Sequence, residues 1–260
     1  MRYHTIDHVI NDITTLVDTY GADGITIGDE NFFINQSYIV NVCNAIIETG
    51  LNNKVKFRGS GRADYFSKMP APIWSLLKRA GFIGIAVGVE SGSQKMLDAM
   101  GKGITLEQVY KTNEILTEYN FYKTFSFMTC VPGETIDDIN QTLQLIINLA
   151  QTSMYSPYPF GLLHKYIPLP ETKLFDLVVS EYEFVPPVSL ERWVAFDFKN
   201  FDTNVATVRS WLSGDLLRYV NVANDHITKL NNLFVGGSDV DMHAIESQII
   251  IMKRFIQNGV

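Results

Sequence analysis

Hydrophobic positions along the chain alternate between a helical period and short apolar runs. "DHVINDITTLVDTY" places Val9, Ile13, Leu16 and Val17 on one face of a helix, which Gly21 would close at its C′ position. "GITIG" (24–28) reads as a strand, "SYIVNVCNAIIETG" (37–50) as a helix ending on Gly50, and "KVKFRG" (54–59) as a second strand. "PIWSLLKRAG" (72–81) predicts a helix with Pro72 in its first turn and Gly81 past its end. It leads into "GFIGIAVGVESGS" (81–93), where an apolar run from Phe82 to Val89 stops on Glu90 and breaks into Ser91-Gly92-Ser93. Such a run predicts a strand buried on both faces, as in parallel sheets covered by helices.

The same rhythm continues downstream. "TLEQVYKTNEILTEYN" (105–120) is a helix with a capping box between Thr105 and Gln108, and "YKTFSFMTCV" (122–131) is a strand. "TIDDINQTLQLIINLAQ" (135–151) is a helix capped by Thr135 with Asp138 three residues on, and "PFGLLHKYI" (159–167) is a strand. Strand centres fall roughly 30 to 40 residues apart, the length of a βα unit. The pattern predicts an α/β fold: an incomplete (β/α) barrel of about five parallel strands over residues 1–200. Beyond residue 200 the strands stop. Residues 204–234 and 239–257 read as helices separated by Gly236-Gly237, a C-terminal helical extension over 201–260.

Composition narrows the setting. With 260 residues, 46% of them hydrophobic, the chain has enough apolar surface for a core without covalent staples. Its two cysteines, Cys43 and Cys130, lie far apart without metal-site spacing, which points to a reducing, cytoplasmic setting. A net charge of −7 without a long basic run argues against nucleic acid as a partner. No window approaches the ~20 apolar residues that cross a bilayer, so no membrane association is expected.

If the strands are parallel, their carboxyl ends carry "GDENFF", "GSGRAD", "GVESGS", "VPGET" and "HKYIPLPET". Asp29, Glu30, Arg62, Glu90 and Glu134 would then surround one mouth, suited to a small ligand with an amine, a carboxylate, hydroxyls and a flat ring. Plainer roles exist for each. Glu90 can serve the N–H groups of a following helix, Arg62 can pair with Asp64, and Thr135 with Asp138 is sufficient to start a helix. Gly133 suits a turn of positive φ, and His164 reads as a packed, hydrogen-bonded histidine.

Taken in order, the tips resemble the radical S-adenosylmethionine (SAM) superfamily, in the branch where the radical domain follows a cobalamin-binding domain. The matching runs are "YGADGITIGDENFF", "GSGRAD", "AGFIGIAVGVESGSQKMLDAMGKGIT", "FMTCVPGETIDDINQT" and "SLERW", with a weaker match in "RSWLSGD" (209–215). The resemblance implies a partial (β/α) barrel in which a CxxxCxxC loop binds a 4Fe-4S cluster and the cluster cleaves SAM to a 5′-deoxyadenosyl radical. It implies Asp29 and Glu30 near the SAM amino group, Arg62 at its carboxylate, and Glu90 with Ser91 at the ribose. The Cys130 to Glu134 stretch, including Val131, Pro132 and Gly133, corresponds to the loop on which adenine rests. The small residues after Glu90 are expected to let the ligand approach the backbone.

Two positions depart from that pattern: Cys130 and Glu171 stand where the family usually has glycine. The cluster loop is also missing from this sequence, and Cys43 and Cys130 cannot replace three closely spaced thiolates. The chain alone is therefore expected to be inactive. It reads as the C-terminal part of a radical SAM enzyme, whose cluster and cobalamin domain a partner polypeptide would carry and whose substrate is a small molecule. The alternatives are a non-catalytic SAM or nucleoside-binding module and an ordinary (β/α) enzyme using the carboxylate mouth for acid–base work. Without a preceding strand, the strand around Ile25 would be an open edge prone to self-association.

Overall fold

A computed structural model of the chain describes residues 3–29, 32–153, 156, 159–194, 210–235 and 241–259. Strands and helices alternate along it: α1 (Ile6–Tyr20), β1 (Gly24–Thr26), α2 (Gln36–Glu48), β2 (Lys56–Arg62), α3 (Ala63–Phe66), α4 (Ala71–Arg79) and β3 (Phe82–Glu90). They continue through α5 (Gln94–Ala99), α6 (Leu106–Glu118), β4 (Tyr122–Thr129), α7 (Ile136–Ala150), β5 (Phe160–Lys165), α8 (Lys173–Glu181) and α9 (Leu190–Val194). Two long helices follow, α10 (Gly214–Asn232) and α11 (Met242–Asn258). The sheet is parallel throughout in the order β1-β2-β3-β4-β5 and curls into a half-barrel. The expected incomplete α/β barrel is the observed fold.

Local signals set the element ends. Thr5 accepts from the His8 amide at the start of α1, and Gly21 ends the helix at φ 67°, donating to Leu16 and Val17 carbonyls. Both capping boxes, Thr105 with Gln108 and Thr135 with Asp138, are formed. The expected helix over 204–234 is seen from Gly214 onward, whereas residues 204–209 and Gly236-Gly237 lie outside the described residues.

The sheet has two unlike faces, and this corrects the reading of the 82–89 run as buried on both sides. Phe57, Ile85, Val87, Val89, Phe125 and Phe127 point outward under the helices and are essentially sealed from water. Inward positions on β3 are small, Gly84, Ala86 and Gly88, and face a cleft rather than a packed barrel centre. A run that is apolar but alternates large with small side chains therefore describes one buried face and one open face. The glycines of "GSG" serve the outer face. A Cβ on Gly59 would stand 2.8 Å from the Phe33 ring, and one on Gly61 would stand 2.7 Å from Phe66. Those two rings pack directly on the strand backbone.

The two sheet edges are treated differently. Among the described residues β1 pairs only with β2, over Gly24–Thr26, with Ile27 adding one amide bond to the Arg58 carbonyl. At the opposite edge α10 covers β5, with Asn224 and Asn231 bonded to its backbone. α11 packs on α10 and α7, extending the core through Tyr219, Ile227, Ile249 and Phe255.

Candidate functional site: a cleft at the strand tips

β2, β3 and β4 deliver their last inward residues to one cleft of about 480 Å³, lined by Ser60, Gly61, Arg62, Ala86, Gly88, Glu90, Lys102 and Ser126. Glu90 is the last residue of β3 and adopts φ 74°, a left-handed conformation uncommon for a residue with a Cβ. Its carboxylate receives the Lys102 ammonium at 2.7 Å, and the two side chains are 23% and 20% exposed, so the pair is partly desolvated. Gly88 makes room for it: a Cβ there would stand 3.0 Å from Glu90 Oε1 and 3.3 Å from Lys102 Nζ.

Arg62 ends β2 on the same cleft. Its Nε donates to Asp64 Oδ1 at 2.9 Å and its Nη2 to the Lys102 carbonyl at 2.6 Å. The local pairing with Asp64 thus orients the guanidinium, and among the described residues Nη1 has no hydrogen-bond partner. The Lys102 segment is consequently tied to both walls, to Glu90 by its ammonium and to Arg62 by its carbonyl. Lys102 itself escaped the sequence reading as a site residue, although it stands inside the "MGKGIT" run that carries the resemblance.

The turn after Glu90 is a structural lock. Ser91 is buried and its hydroxyl accepts from the Ser93 amide, while the Gly92 amide donates to Thr142 Oγ1 at 2.9 Å. A Cβ on Gly92 would stand 2.5 Å from the Gln141 carbonyl oxygen and the Thr142 Cα. The small residues behind Glu90 therefore allow α7 to approach the turn, which corrects the expectation that they open the backbone to a ligand. Ser93 Oγ donates to Asp138 Oδ1 at 2.7 Å, and Asp138 Oδ2 receives Lys95 at 2.6 Å and Thr135. Burial works to raise the Asp138 carboxyl, but these donors outweigh it and hold it below the usual aspartate value.

The loop from Cys130 to Glu134 is also held from within. Cys130 has φ 61° and Gly133 φ 79°; Val131 and Pro132 are buried and Gly133 is exposed. Glu134 turns inward, accepting from Thr129 Oγ1 at 2.7 Å and from the Cys130 amide at 2.5 Å, and burial pushes its carboxyl up to about 7. Glu134 is thus a loop brace, not one of the carboxylates around the mouth. Trp211 closes the loop from outside, its indole N–H donating to the Cys130 carbonyl at 2.9 Å. Its ring packs beside Tyr166, Tyr182 and Phe184.

The remaining expected site residues divide. Asp29 follows β1 and is exposed, but it borders a separate apolar recess with Ile27, Phe32 and Tyr38. Burial raises the Tyr38 hydroxyl, with the Asp29 charge adding to the effect. Glu30 lies outside the described residues. His164, read as a packed histidine, is instead exposed on the cleft side of β5.

A 4Fe-4S cluster does not fit the residues present. Both cysteines are buried, burial raises the Cys43 thiol to about 12, and among the described residues no three His, Cys, Asp or Glu side chains converge. SAM fits better, because the cleft combines a guanidinium, a carboxylate and hydroxyls for an amino acid and a ribose. No described helix is long and apolar enough to cross a membrane.

The sequence model of the Radical SAM superfamily matches residues 1–146, more than half of the chain, which therefore belongs to that superfamily. The anaerobic magnesium-protoporphyrin IX monomethyl ester cyclase of Cereibacter sphaeroides is 27% identical over 184 residues, covering 69% of this chain and 29% of the cyclase. An uncharacterized methyltransferase of Pyrococcus horikoshii is 26% identical over 191 residues, covering 72% of this chain and 40% of that protein. The chain thus spans well under half the length of these curated relatives.

Among solved structures, the radical SAM methyltransferase TsrM from Kitasatospora setae, with cobalamin and a 4Fe-4S cluster bound, superposes with TM-score 0.58 at 15% identity. That match covers 96% of this chain and 55% of TsrM. The cobalamin-dependent radical enzyme OxsB, with aqua-cobalamin and SAM bound, gives TM-score 0.53 at 15% identity over 100% of this chain and 46% of OxsB. At such identities the likeness is one of fold.

Proposed function

We propose that this chain is the SAM-binding, downstream portion of a radical SAM enzyme, acting on a small molecule by hydrogen abstraction or methyl transfer. The observation that carries it is the cleft itself, where Arg62, Glu90, Lys102, Ser60 and Ser126 meet at the carboxyl ends of adjacent parallel strands. In this reading the Nη1 side of Arg62 takes the SAM carboxylate and Glu90 accepts from the ribose hydroxyls, its charge tempered by Lys102. Asp29 stands in a separate recess and forms no part of this cleft. The Val131-Pro132-Gly133 bend supports the adenine through backbone groups, and Ser91 acts indirectly by fixing the Glu90 turn.

The cluster that cleaves SAM takes its thiolates from residues outside these 260, since the sequence holds only Cys43 and Cys130. A polypeptide segment bearing a CxxxCxxC loop is the partner this requires, and the likeness to TsrM and OxsB supports a cobalamin domain alongside it. A second reading is a non-catalytic SAM or nucleoside module, favoured by the same lack of a thiolate triad.

Saturation-transfer NMR with SAM on the iron-free chain tests both. Ribose and adenine contacts that vanish in Glu90→Gln and weaken in Arg62→Ala are expected; no contact at millimolar SAM would sink the site. Millimolar affinity supports the enzyme reading, in which iron anchors the ligand, and micromolar affinity without iron supports the module.

A further inference from the structure

The polar cleft does not end at Ser126. A second cavity of about 430 Å³ shares Glu90 and Ser126 with it and continues across β4 and β5, lined by Met128, His164, Lys165, Ile167 and Leu169. The two halves differ in chemistry, the first presenting charged and hydroxyl groups and the second mostly apolar side chains with an exposed imidazole. We propose that this second cavity binds a largely apolar small molecule carrying a carboxylate or another anionic group, and that this occupant is the substrate. The substrate assignment rests on the SAM reading above; the binding site does not.

Three features support the occupant's class. First, Met128 and His164 are register partners on β4 and β5, so a flexible apolar side chain and an imidazole stand side by side on the cleft wall. The imidazole is exposed, so the cavity wall carries a hydrogen-bond donor for an anionic group beside the apolar side chains. Second, Leu169 is 59% exposed, an apolar side chain held in water at the cavity mouth.

Third, the segment that presents Leu169 is preformed. Tyr166 and Leu174 anchor it in a separate apolar cluster with Val131, Val178 and Phe184, while Pro168 and Pro170 flank Leu169 and fix their own φ angles. A loop ordered before binding loses little entropy when a ligand arrives. The cavity volume lies within the range of small-molecule sites, which combine apolar walls with a few placed polar groups.

A matched pair of fluorescent probes tests the proposal on the chain as it exists. 8-Anilinonaphthalene-1-sulfonate is the apolar anion, and N-phenyl-1-naphthylamine is its neutral counterpart. The anion is expected to saturate one site at least fivefold more tightly than the neutral probe. Leu169→Glu, at an exposed position, should weaken both probes at least fivefold, whereas His164→Ala, which removes the donor, should weaken only the anion, at least threefold. Equal affinity for the two probes, or binding indifferent to both substitutions, overturns the proposal. SAM contacts measured separately by NMR report the polar half, so their absence with the probe results intact defeats the SAM reading and leaves this site standing.

Discussion

Asn231 on α10 and Phe160 on β5 exchange two hydrogen bonds, the Phe160 amide donating to Asn231 Oδ1 at 3.1 Å and Asn231 Nδ2 donating to the Phe160 carbonyl at 2.7 Å. Two helical turns earlier Asn224 repeats the exchange with Leu163, at 2.7 and 3.3 Å. A side-chain amide carries the same donor and acceptor as a peptide unit, so α10 satisfies a sheet edge as a neighbouring strand would. Asn231→Leu leaves a buried amide and carbonyl unpaired and should cost about 2–3 kcal/mol. Urea denaturation read by circular dichroism checks this; a loss below about 0.5 kcal/mol would mean that the edge is satisfied another way.

The lock between the Glu90 turn and α7 has no slack at Gly92. A methyl group there meets backbone atoms of Gln141 and Thr142, which cannot rotate away as a side-chain tip would. Gly92→Ala should therefore destabilise by about 3 kcal/mol, near the upper end for overpacking, and Gly133→Ala, with open space around it, by less. Comparable unfolding midpoints for the two variants would contradict the close approach.

Cys130 and Glu171, the two positions that depart from the resemblance, both adopt left-handed backbone, at φ 61° and φ 65°. Glycine is tolerated there without the Cβ clash that costs other residues about 1–2 kcal/mol. Glu171 is exposed, so Glu171→Gly should raise stability by about 1 kcal/mol. Cys130 is sealed in the core, so Cys130→Gly loses buried contacts that offset the relief, leaving a net change near zero. Paired urea melts distinguish the two.

Glu134 gives the stability a defined pH dependence. Burial raises its carboxyl from 4.5 to about 7 in the folded protein. Between those values the native state holds a proton that the unfolded chain has released, so stability falls as pH rises across the window, by up to about 3 kcal/mol. Its contribution is greatest below the unfolded value and is lost above the folded one. Glu134→Gln keeps an acceptor for Thr129 and the Cys130 amide but does not titrate. Denaturation midpoints at pH 5 and pH 8 should converge in the variant and differ in the parent; parallel slopes would remove Glu134 from the account.

The sequence by itself determined the βα rhythm, the caps at Thr105 and Thr135, the turn at Gly21, and the placement of Arg62 and Glu90 at the ends of parallel strands. These depend on periodicity and on partners a few residues away, which a linear pattern records. Only the tertiary structure decided that Glu134 turns inward, that Gly92 accommodates α7, that Lys102 joins Arg62 to Glu90, and that Trp211 holds the Cys130 carbonyl. Each depends on approach between distant segments, which no local pattern encodes. The face of a strand that remains open is settled the same way, by what the rest of the chain packs against it.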